Sequence, residues 1–148
     1  MFKGPFHRSF LFCYDRHMIH IAYKLKTSDL HGVGLFANEL VKKGQLVYTA
    51  SPLLDLNITQ EQFDGLAEKE RDEILWWGFF DQPSKMWHVD FDVSKFINHS
   101  YHATVSQDEA HDEACLVATR DIQPGEELTQ NYLEFETQED LERRGIIN

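Results

Sequence analysis

The sequence predicts a mainly β fold with a few short helices. Apolar residues come in short alternating runs rather than long helical stripes, and Gly, Pro, Asp and Lys turns separate them. Helix-start signals appear at only a few places. The βαβ alternation of a nucleotide-binding parallel sheet is absent.

The elements follow in order. Ile19, Ile21, Tyr23 and Leu25 alternate with His20, Ala22 and Lys24, the period-2 pattern of a half-buried strand. Thr27 to Gly34 reads as a turn, and Leu35 to Ala37 as a short strand. Lys42-Lys43-Gly44 turns the chain into a strand over Gln45 to Thr49, and Pro52 to Ile58 is expected to be extended. Thr59 and Gln62 have capping-box spacing, opening a helix whose apolar face is Phe63, Leu66 and Ala67. Glu68 to Leu75 reads as further helix. Met86 to Val89 and Ala114 to Thr119 are strands, Asp121 to Gly125 is a turn, and Glu127 to Thr129 is a short strand. Thr137 with Asp140 caps a final helix, to which Leu141, Ile146 and Ile147 lend an apolar face.

Bulk properties narrow the function. With 148 residues, 42% of them hydrophobic, the chain builds one core without a metal or disulfide staple. Cys13 and Cys115 form no CxxC and no zinc-ligand pattern, which favours a reducing compartment. A net charge of −11 opposes sequence-independent binding to nucleic acid, and it fits an ordinary soluble acidic domain as well as one that attracts a cationic ligand or basic peptide. No apolar run is long enough to span a membrane. The expected organisation is an N-terminal extension over 1–18, a domain over 19–135 and a C-terminal helical segment over 136–148. An intracellular, cytoplasmic location is expected, or a nuclear one in a eukaryote.

Three segments carry chemistry. Gly32-Val33-Gly34 lets backbone approach a ligand closely, although alone it also fits an ordinary loop. Phe96-Ile97-Asn98-His99-Ser100 sets a polar pair on an apolar support, which also fits a satisfied turn. Glu126-Glu127-Leu128-Thr129-Gln130-Asn131-Tyr132 follows a Pro-Gly turn and ends on a tyrosine. In this order the three resemble the motifs of the SET-domain family of protein-lysine methyltransferases, over roughly residues 19 to 135.

That resemblance implies a fold of small curved sheets, β-clip-like, with a pseudoknot between the second and third motifs. It implies S-adenosylmethionine as methyl donor and a protein or peptide lysine, on a basic partner, as acceptor. Tyr132 would be the catalytic residue. Gly32, Val33, Gly34, Asn98, His99, Tyr132 and Phe135 would hold the cofactor, with Asn98 at its amino-acid end and Phe135 on adenine. Trp76, Trp77, Phe79 and Phe80 have two readings, lysine-channel walls or core packing, and core packing is preferred for most of them.

The chain also departs from the family pattern. Tyr101-His102-Ala103-Thr104 follow the Asn-His-Ser motif where many members have Cys and then Pro-Asn. Gln130 stands where Phe or Tyr often helps set the number of methyl groups added, so product multiplicity stays open. No cysteine cluster follows Tyr132, so zinc is not expected, and either the segment 133–148 closes the channel or the channel stays open. A catalytically inactive binding module that docks a basic peptide is the main alternative, and an acidic interaction protein the second.

Overall fold

The computed structural model describes residues 18–111 and 114–148. The expected extension over 1–18 therefore lies outside the described residues except for Met18. That residue packs against the core, and its carbonyl accepts a hydrogen bond from the Thr49 amide.

The described strands form four small sheets, as expected of a mainly β fold. β1 (Tyr23–Thr27) and β2 (Val33–Ala37) are an antiparallel hairpin. β3 (Leu46–Thr49) pairs with β9 (Cys115–Ala118), which also pairs with β8 (Val105–Gln107). β4 (Asp55–Thr59) and β5 (Phe79–Asp81) flank β6 (Met86–Asp90). Between β4 and β5 lie α1 (Gln60–Asp64) and α2 (Glu68–Trp77). β7 (Asn98–His99) and β10 (Thr129–Gln130) pair in parallel, Thr129 opposite Asn98 and Gln130 opposite His99. Two single 3-10 turns, Val93–Phe96 and Tyr132–Glu134, flank this pair in the chain, and α3 (Gln138–Arg143) follows.

One core joins these pieces. Leu35, Val41, Val47, Val105, Ile122 and Leu128 have no solvent exposure. Each such burial contributes about 1.5–3 kcal/mol. A second apolar group lies under the helices, where Phe63 stacks on Trp87 with ring centres 4.3 Å apart and Phe80 makes an edge contact with Trp87. The capping box of α1 forms as the spacing predicts: the Gln62 amide donates to Thr59 Oγ1 and the Thr59 amide to Gln62 Oε1.

Several boundaries differ from the sequence reading. The first strand was expected from Ile19 to Leu25 with one face buried. Ile19 and Ile21 are buried, but the hairpin strand starts at Tyr23 and all five of its residues are exposed, since it pairs only with β2. Val33 and Gly34 belong to β2 rather than to the turn. α1 stops at Asp64, so Ala67 is exposed and precedes α2 instead of extending the Phe63 face. The short strand expected at Glu127 begins at Thr129, with Glu127 forming an isolated bridge to Phe36. Core packing fails for Trp76 and Trp77, which are 74% and 53% exposed at the end of a helix with no buried residue.

Candidate active site

The parallel pairing of β7 with β10 brings the second and third motifs together. The Tyr132 amide donates to His99 Nδ1 at 3.1 Å, and the Tyr132 hydroxyl donates to the Ile97 carbonyl at 2.5 Å. Backbone and side chain of Tyr132 are thus both held by the Asn-His segment. Burial pushes the Tyr132 hydroxyl well above its ordinary pKa, so it keeps its proton at neutral pH.

His99 accepts through Nδ1, which requires the neutral ring protonated on Nε2. Nε2 is buried without a partner. Burial lowers the pKa of His99, in the same sense. The unfolded ring takes up a proton below about pH 6.5 while the folded ring resists. The His99 contribution to stability is therefore complete above that pH and lost as pH falls through the folded pKa. Urea midpoints between pH 7.5 and 5 should show this as an acid-side loss that disappears in His99→Gln. Asp55 titrates in an overlapping range with the opposite sign, so the difference between the two proteins is the readout.

Asn98 fastens the glycine loop. Its Nδ2 donates to the His31 carbonyl at 3.1 Å, the Val33 carbonyl at 3.2 Å and Glu127 Oε1 at 2.8 Å. The other oxygen of Glu127 accepts from Ser28 Oγ at 2.8 Å. Gly34 is required by this arrangement, because a Cβ there would stand 2.2 Å from Glu127 Oε1. Glu127 cannot swing aside without breaking its two hydrogen bonds. Gly34→Ala should therefore cost about 1–3 kcal/mol, read as a lower urea midpoint. Gly32 has φ +49° and open space beside it, so the loop presents bare backbone outward.

A cavity of about 700 Å³ reaches Tyr132. Trp77, Phe79 and Phe135 contribute aromatic wall, and Asp55, His88 and Asp90 line it with polar groups. The Phe135 ring sits between Phe79 and Tyr132, with ring centres 4.6 Å and 5.3 Å away. The C-terminal segment contributes Glu136 and Arg144, which are ion-paired at 2.5 Å.

Residues 32–133 match the family model of the SET domain. The chain belongs to the SET-domain family. No curated protein matches it. Among solved structures, the SET-domain chain shares its fold with the Neurospora SET domain protein DIM-5, a histone lysine methyltransferase, at TM-score 0.53 and 23% identity. That similarity covers 77% of this chain and 53% of that one. A chain of the Chaetomium thermophilum Polycomb Repressive Complex 2 is similar at TM-score 0.61 and 23% identity, over 80% of this chain and 16% of that one. The SET-domain chain thus spans about half of the first of these structures and a small part of the second.

Of the residues expected at the site, Tyr132 and Phe135 stand on the cavity wall, and Asn98 ties down the loop holding Gly32, Val33 and Gly34. Within the aromatic run, Trp77 and Phe79 line the cavity. Sequence reasoning passed over Glu127, which holds Asn98 and Ser28 together, and the group Asp55, His88 and Asp90. The strand alternation around Asp55 and His88 was the available signal, but the register that joins them was not.

Proposed function

We propose that this SET-domain chain transfers a methyl group from S-adenosylmethionine to the ε-amine of a lysine on a basic protein or peptide. One observation carries the proposal: the Tyr132 hydroxyl is fixed on the wall of a cavity by a bond it donates to Ile97. Because its hydrogen is committed to that carbonyl, its lone pairs are left to accept from an incoming N–H. An amine held in this way is aligned for displacement, which is positioning work. With its pKa raised by burial, Tyr132 orients the amine as a neutral phenol and does not serve as a general base.

The residues present suit the methyl donor. The orphaned Nε2 of His99 and the open backbone at Gly32 offer polar contact, and the rings of Tyr132 and Phe135 offer apolar surface. Gly32, Val33, Gly34, Asn98, His99 and Phe135 would hold it, and when bound it supplies the methyl group. Arg144 and Glu136 line the same cavity as an ion pair, so together they add no net charge beside the amine.

The test is transfer of labelled methyl from S-adenosylmethionine by the purified chain onto a panel of histones and whole-lysate proteins. A labelled band that depends on Tyr132 is expected. No label together with no cofactor binding by calorimetry would overturn the reading in favour of an acidic interaction protein.

A further inference from the structure

Tyr101 is a large aromatic side chain that the core does not use. Its ring is 61% exposed, and among the described residues its ring contact is with His99. The two rings meet at 85° with centres 4.8 Å apart. It stands where many SET-domain members have cysteine, so a ring at this place is a departure of this chain.

The backbone that carries Tyr101 is nevertheless held. The Ser100 amide donates to the Gln130 carbonyl at 3.0 Å, and the His102 amide to Ser100 Oγ at 3.1 Å. Further on, the Thr104 amide donates to the Thr129 carbonyl at 2.9 Å. Tyr101 therefore stands on a short turn tied to β10 at both ends. A tyrosine on an anchored backbone offers a ligand contact area at little cost in conformational freedom.

Tyr132 lies against the same imidazole, its ring centre 5.5 Å from that of His99. One imidazole thus separates the ring of the reactive hydroxyl from the exposed ring. S-adenosylmethionine has a matching form, because a ribose separates its sulfonium from its adenine. When the methyl group is presented to Tyr132, the purine falls further along the molecule.

The main chain of His99 suits the same group. Along a strand, the amide groups of successive residues face opposite edges. The Ser100 amide bonds to β10, so the N–H and C=O of His99 face away from it, and neither has a partner among the described residues. A donor and an acceptor side by side complement the N7 acceptor and N6 donor of adenine. Phe135 is less available to cover such a base, because its ring already packs between Phe79 and Tyr132. The open aromatic face beside the Asn-His segment is that of Tyr101.

We propose that Tyr101 is a cofactor-binding residue whose ring stacks on the adenine of the methyl donor. This role rests on the methyl-transfer reading and names the residue that recognises the purine end.

The experiment is calorimetric titration of the purified chain with S-adenosylhomocysteine, which keeps the purine and has no methyl group to transfer. Wild type is compared with Tyr101→Ala, Tyr101→Leu and Tyr101→Phe. Loss of a base–aromatic stack should weaken binding by Tyr101→Ala about tenfold or more. Tyr101→Leu should lose nearly as much, since it restores apolar area without an aromatic face. Tyr101→Phe should bind within about threefold of wild type. Urea midpoints of all four proteins should agree closely, because substitution of an exposed ring changes stability little. Wild-type affinity in Tyr101→Ala or in Tyr101→Leu overturns the inference and leaves methyl transfer standing. Binding by Tyr101→Phe as weak as by Tyr101→Ala overturns it as well, assigning the effect to the hydroxyl. A loss of affinity that follows a fall in the urea midpoint assigns Tyr101 a structural role and also overturns it. No binding by wild type, of either S-adenosylhomocysteine or S-adenosylmethionine, sinks the methyl-transfer reading and this role together.

Discussion

Tyr132→Phe is expected to lower turnover by about 10²-fold or more while cofactor affinity stays near that of wild type. The substitution removes one oxygen, and with it the group whose lone pairs would orient the amine. It also leaves the Ile97 carbonyl without the hydroxyl that donates to it at 2.5 Å. That loss costs about 1–2 kcal/mol, which a folded domain of this size tolerates. The ring contacts with His99 and Phe135 remain available to phenylalanine. Single-turnover kinetics together with calorimetry separate the two effects. Equal turnover in the variant and wild type would remove Tyr132 from the chemistry.

Asn98→Ala should act on a different quantity. The His31 and Val33 carbonyls and the Glu127 carboxylate all lose a donor at once. A cost of about 3 kcal/mol follows from the loss of the two amide hydrogens that these three acceptors share. Scanning calorimetry should then show a drop in Tm of roughly 6–12 °C. Cofactor affinity should fall with it, because the glycine loop loses its anchor. Asn98→Asp keeps the shape but turns a donor into a charge facing a carboxylate and two carbonyls, so it should be no milder. A stable Asn98→Ala with unaltered cofactor binding would show that the loop is held elsewhere.

What was legible in the sequence depended on range. Thr59 with Gln62 and Thr137 with Asp140 announce helix starts because each partner lies three residues away, and both pairs bond as their spacing implies. Tyr132 and Asn98 were legible as motif residues, and the mainly β class from short runs between turns. Burial of the first strand was misread because alternation reports one buried face only where a sheet has something packed on it. β1 has a single partner strand and no buried residue. Asp55 and His88 could not be joined in advance, since α1, α2 and β5 lie between their strands and only the β4–β6 register places them side by side. Glu127 looked like half of an acidic turn. Its role appears only when Ser28, distant in sequence, is brought to it.

The bond from the Tyr132 amide to His99 joins positions 33 residues apart. Closing a loop of that length costs about 3 kcal/mol of chain entropy before any contact returns it. Such closures belong late in folding, after local hairpins and helices have formed. The two halves of the candidate site are therefore expected to meet only after the local elements have formed. Loosening the β7–β10 pairing together with the two bonds of Tyr132 to His99 and Ile97 would separate Tyr132 from the segment that aims it, even with every strand of the other sheets intact. The proposed activity would thus be a more exacting report of complete folding than secondary structure.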